Sequence, residues 1–147
     1  MKRIEKVVQL NAYILDIPVP RIEVKKSSFF KTLTTRAAIV GDLAEIALCI
    51  NEDFLVFLKN NEFERWLTIS HEMRHLWQIV NGKGMQGYET SDRASILNYN
   101  EQELELDAWA WATVAVVQNV GEVPDFTKPL GKALHDEILK RAETLIK

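Results

Sequence analysis

His71-Glu72-Met73-Arg74-His75 is the stretch on which the reading of the chain turns. On a helix, residues four apart lie one turn apart on the same face. His71 and His75 can therefore offer two ring nitrogens to one ion, with Glu72 placed to reach a water on it. A zinc ion in such a setting lowers the pKa of bound water to about 7, and a neighbouring carboxylate can take the proton. The chain has three histidines, and two of them fall within this pentapeptide.

The flanking residues predict the helix that this spacing requires. Asn60 and Asn61 offer an N-cap, Glu64 follows Asn61 at capping-box spacing, and Gly82 supplies a C-terminal stop. Between them Phe63, Trp66, Leu67, Ile69, Met73, Leu76, Trp77, Ile79 and Val80 form a broad apolar surface. The segment from about Glu62 to Val80 thus reads as a largely buried helix.

A catalytic zinc usually has three protein ligands and one open position. The third is sought downstream, in Asn100-Glu101-Gln102-Glu103-Leu104-Glu105-Leu106-Asp107-Ala108 and the apolar continuation to Val117. Hydrophobic residues run almost all the way round from Leu104 to Val117, the mark of a helix inside the protein. No Lys or Arg occurs between Arg93 and Lys128, so no nearby cation in the sequence neutralises these carboxylates. A buried, unpaired carboxylate costs several kcal/mol or takes up a proton, and a metal ion would remove that cost. Glu103 and Asp107 share a face, so one can bind metal while the other accepts the outer N–H of a ligating histidine. Glu101 and Glu105 form a parallel pair on a neighbouring face, and geometry does not force the choice. Helix capping and the helix dipole account for acidic residues in the first turn. They do not account for Asp107 in the second, and the expectation is Glu103 with Asp107.

HExxH followed on a later helix by ExxxD and small residues resembles the gluzincin branch of the zincin metallopeptidases. The strings HEMRHLWQ and YNEQELELDAWAWA are similar to small single-domain zincin-like proteins of Gram-positive bacteria and their phages. The resemblance covers the chain from about Asn61 to Thr113. It implies Zn2+ bound by His71, His75 and Glu103, Glu72 as catalytic base, Asp107 orienting a histidine, and a peptide or protein substrate. The Tyr or His that often supports the oxyanion in gluzincin proteases has no clear counterpart here. Tyr88, Arg93 and Tyr99, in or beside the long connection 81–99, are the nearest candidates for that donor.

The rest of the chain bounds the alternatives. Its 147 residues suit one domain with a genuine core, and a hydrophobic content of 47 % with four tryptophans supports a packed globule. A net charge of −3 without a basic cluster speaks against nucleic-acid binding. The one cysteine, Cys49, sits in an apolar run and reads as a core strand residue. Gln9, Asn11 and Asp16 interrupt what would be a signal peptide's apolar core, and no apolar run is long enough to cross a membrane. The expectation is a cytoplasmic protein.

Residues 2–16 read as a helix ended by Pro18 and Pro20, 21–26 as a strand, and 37–50 as a β-hairpin turning at Gly41-Asp42. Pro129 to Ile146 reads as a final amphipathic helix with an exposed His135. Trp109 and Trp111 read as core, with a substrate cleft as the other possibility. The expected class is α+β, a minimal zincin-like fold in which a short mixed sheet packs on the HExxH helix and on a second ligand-bearing helix. The leading expectation is a zinc-dependent peptidase. The rival is a non-catalytic zincin-fold binding or regulatory protein of phage or mobile-element origin, with a structural metal.

Overall fold

The computed structural model describes residues 1–42, 45–82 and 99–146. The elements are α1 (Lys2–Leu15), β1 (Arg21–Lys25), β2 (Ala37–Asp42), β3 (Glu45–Asn51), α2 (Leu55–Asn60), α3 (Glu62–Val80), α4 (Tyr99–Asn119), α5 (Thr127–Leu130) and α6 (Lys132–Ile146). The class is α+β, as expected. β3 is the central strand of a mixed sheet ordered β1-β3-β2, parallel to β1 and antiparallel to β2. Its apolar run is buried from Ala47 to Asn51, as suits a strand covered on both faces. Cys49 lies in that run, 1 % exposed, and burial pushes its thiol pKa up.

The expected hairpin forms, with Ala37 opposite Ile50, but Gly41 and Asp42, expected at its turn, are the last residues of β2, opposite Ile46 and Glu45. Gly41 is required at its end. Its φ is +116°, and a Cβ there would lie 2.0 Å from the Glu45 carbonyl oxygen.

α3 starts as its sequence predicts: the Asn61 side chain accepts from the Glu64 N–H at 3.0 Å. The other half of the capping box is not used, because the Glu64 carboxylate pairs with Arg36 at the start of the hairpin. The buried apolar positions of α3, among them Trp66, Ile69, Met73 and Leu76, join those of α1, α4 and the sheet in one core. α4 is buried nearly all round, from Leu106 through Val116, in keeping with its unbroken hydrophobicity. Ala108, Ala110 and Ala112 are wholly buried, small side chains that let neighbouring elements approach closely.

Where α1, α3 and α4 meet, the buried Asn11 amide donates to Val7 O at 2.9 Å and to Ser70 Oγ at 3.0 Å, and its oxygen accepts from Trp111 Nε1 at 2.8 Å. Asn11→Ala leaves the buried indole N–H without that acceptor. It is expected to cost about 1–3 kcal/mol, read as a lowered urea midpoint at unchanged slope. An unaltered midpoint would contradict a structural role for this amide.

The final helix is corrected. It breaks at Gly131, φ +90°, into the short α5 and the longer α6, because glycine tolerates the backbone conformation that ends one helix and lets another begin. His135 is not a free surface group either: its Nδ1 accepts from the Phe126 N–H at 3.1 Å and fastens the segment after α4 to α6. Among the described residues no helix is long and apolar enough to cross a membrane.

Candidate metal centre

α3 and α4 bring the chemistry together. His71 and His75, one turn apart, are 8 % and 5 % exposed. Nε2 of His71 lies 2.9 Å from one oxygen of Glu105, and Nε2 of His75 lies 3.1 Å from the other. One partly exposed carboxylate on α4 thus faces both imidazoles on α3. On the opposite side of its ring, His71 Nδ1 is 3.0 Å from Glu72 Oε2, while Glu72 Oε1 accepts from the Ile39 N–H of β2 at 3.2 Å. One donor atom from each of His71, Glu72 and His75 lies within 4.8 Å of the others, so this cluster can hold a metal ion.

The donor set fits a divalent metal. Two buried imidazoles and a carboxylate are the ligand types of a His2Glu zinc site. Of the two glutamates, Glu105 faces Nε2 of both histidines, whereas Glu72 sits behind His71 at Nδ1.

The Glu103 assignment is therefore corrected. Both oxygens of Glu103 accept from Arg141 Nη2 on α6, at 2.8 and 3.0 Å. Residues two apart on a helix point about 200° apart, so a helix that turns Glu105 to the histidines turns Glu103 away from them. Asp107 is corrected as well: it receives Arg74 through two bonds, from Nε at 2.8 Å and from Nη2 at 3.0 Å, and Gln78 Nε2 at 2.9 Å. The side chain against the outer nitrogen of His75 is Gln78, whose Oε1 lies 2.9 Å from Nδ1. The cations that balance Glu103 and Asp107 come from α6 and from the HExxH motif itself. Neither lies near its partner in sequence: 33 residues separate Arg74 from Asp107, and 38 separate Arg141 from Glu103. The signal for the missed residues was the spacing of Arg74 and Gln78, polar groups one turn apart on the side of α3 that also carries Ser70 and His71.

Trp109 is the other residue whose role the structure decides. Its indole stacks on the His71 ring, centroids 3.8 Å apart and planes 28° apart, and it packs against Phe126 in turn. Trp111, by contrast, is core. Trp109 helps wall a cavity of about 480 Å³ with Phe63, Leu67 and Phe126. A second cavity, about 570 Å³, runs under Phe30 and Ile39 to His75 and Glu105. His71 and Glu72 line both. Tyr88 and Arg93 lie outside the described residues, and Tyr99 is described only as the backbone that opens α4.

Without metal, the centre is held by protons. Burial alone would lower the His71 pKa, but hydrogen bonds to Glu105 and Glu72 outweigh it and raise the value from an ordinary 6.5 to about 9. Burial likewise opposes ionisation of Glu105, yet the bonds from His71 and His75 win and hold its pKa well below the usual carboxylate range. A raised histidine pKa contributes stability that is full below the unfolded value, near 6.5, and is lost as pH climbs through about 9. A depressed carboxylate contributes above its unfolded value, near 4.5, and loses that contribution as pH falls. Metal-free protein is accordingly expected to melt at progressively lower temperature from pH 6.5 to 9.5, a loss smaller in His71→Phe. An equal loss in both would show that other groups set the dependence.

Compared with protein-family models, with curated proteins and with solved structures, the chain has no match in any of the three.

Proposed function

We propose that this protein is a zinc-dependent peptidase of zincin-like type, with His71, His75 and Glu105 as the metal ligands and Glu72 as the general base. One observation carries the reading: two imidazole Nε2 atoms from a single HExxH helix meet the two oxygens of one carboxylate, at 2.9 and 3.1 Å, beside a cleft. Zinc, when bound, supplies Lewis acidity that polarises a carbonyl and makes a neighbouring water acidic near neutral pH. The chain's own groups do the rest. Glu72 accepts the proton of the attacking water at a carboxylate oxygen and passes it to the leaving amine. The Ile39 N–H and His71 Nδ1 hold that carboxylate at the cleft wall. β2 is an edge strand of the described sheet, and an extended peptide can add to such an edge by backbone hydrogen bonds. Both cavities reach His71 and Glu72 and leave room there for a peptide chain.

Protein purified without added metal is expected to carry close to one zinc per chain. Chelation should remove the zinc together with hydrolysis of a susceptible peptide from a mixed library, and added zinc should restore both. Hydrolysis that survives metal removal would overturn the reading, as would a chain that takes up no zinc. Stoichiometric zinc with no cleavage of any library peptide would transfer support to a binding module with a structural metal. Histidine ligands must be neutral, and His71 holds its proton up to about pH 9, so affinity is also expected to fall as pH drops below that value.

A further inference from the structure

Gln78 lies beyond the HExxH motif, yet its two ends do different things. Its Nε2 donates to Leu104 O at 2.9 Å and to Asp107 Oδ2 at 2.9 Å. Both partners are acceptors only, one a backbone carbonyl and the other a carboxylate engaged by Arg74. The amide therefore has one orientation: its NH2 must face α4, and Oε1 must face His75 Nδ1, where it lies 2.9 Å away. An amide oxygen can only accept, so Nδ1 of His75 must be the protonated nitrogen in that bond. In the neutral ring that a metal ligand must be, the lone pair is then on Nε2, the atom that faces Glu105. Gln78 is 1 % exposed, so water does not compete for these bonds. Arg74 in turn is fixed between Asp107 and the face of Trp77, 3.8 Å from the ring centroid.

We propose that Gln78 is the positioning residue of the metal centre: it sets the tautomer and orientation of His75, and Arg74 with Asp107 set Gln78. The inference rests on the metal-centre reading above. It moves to a neutral amide the task that the ExxxD pattern suggests for an acid. A carboxylate would pull the proton of Nδ1 toward itself; an amide orients the ring without adding negative charge.

The test is competitive titration of zinc against a chromophoric chelator, for the parent, Gln78→Met and Gln78→Glu. Gln78→Met keeps size but removes the strong acceptor, and affinity is expected to fall about 10- to 100-fold, the range typical for losing a partner behind a metal ligand. Gln78→Glu keeps an acceptor for Nδ1 but gives up the donors to Leu104 and Asp107. It is expected to bind zinc within a few-fold of the parent, on the order of a single neutral hydrogen bond. A role confined to tying α3 to α4 predicts the reverse, since the glutamate puts a like charge beside Asp107. In zinc-loaded protein the His75 Nδ1 proton should be observable by 15N-edited NMR in the parent and in Gln78→Glu, and lost to solvent exchange in Gln78→Met. Parent-like affinity in Gln78→Met, or a loss in Gln78→Glu as large as in Gln78→Met, overturns the positioning role alone. Failure of the parent to bind zinc, with His71→Ala behaving identically, overturns the metal centre and this role with it.

Discussion

Glu105→Ala is expected to lower zinc affinity by more than about 100-fold, beyond what loss of a group behind a ligand costs, while Glu103→Ala leaves it close to the parent. The two residues are neighbours in an acidic run and only their directions differ. Glu105 stands 2.9 and 3.1 Å from the two imidazoles. Glu103 is paired with Arg141, and that pair lies partly in solvent, so its loss is worth roughly 0–1 kcal/mol of stability. The alanine at 105 removes the proposed ligand and leaves two buried histidines without their shared acceptor. The contrast is read by zinc titration of both variants alongside thermal melts. Equal losses at 103 and 105 would mean that the ligand is misassigned. Tight zinc binding by Glu105→Ala would mean that the cluster of His71, Glu72 and His75 holds the ion without α4.

Glu72→Gln carries the second large effect. Turnover is expected to fall by about 10²–10⁴, the contribution of a positioned general base, with zinc still bound at saturation. The glutamate accepts two bonds, from the Ile39 N–H and at His71 Nδ1. A glutamine has one oxygen to serve them, so one donor loses its partner and a modest weakening of zinc binding accompanies the substitution. Affinity and turnover should therefore separate, the first changing little and the second greatly. Turnover is compared at saturating zinc so that occupancy does not enter. A variant that cleaves at the parental rate would remove Glu72 from the chemistry. One that loses zinc altogether would make Glu72 a ligand or a structural support rather than the base.

These outcomes bear unequally on what could be read from residues alone. Periodicity and caps were enough for α1, α3, α4 and the hairpin, because each is decided within a few residues: an apolar stripe at helical spacing, Asn61 before Glu64, Gly41 where β2 ends. The break at Gly131 was missed for the complementary reason. The stretch keeps helical spacing, and the tether from His135 to the Phe126 backbone comes from a contact that no spacing announces.

His71, Glu72 and His75 were legible as a cluster because all three lie within five residues of one helix, where 3.6 residues per turn settle their relative places. The choice among Glu101, Glu103, Glu105 and Asp107 was not legible, since it depends on the rotation of α4 about its axis against α3. Packing decides that rotation, through Leu106, Ala110 and Val114 in the core and through Arg74 and Arg141, which claim Asp107 and Glu103. The primary structure by itself determined a buried helix carrying two imidazoles and a second buried helix rich in carboxylates. Which carboxylate meets those imidazoles, and which way the Gln78 amide turns toward His75 in the same helix, only the tertiary structure decided, because the partners that fix both lie 26 to 38 residues away in the chain and become neighbours only when the helices dock.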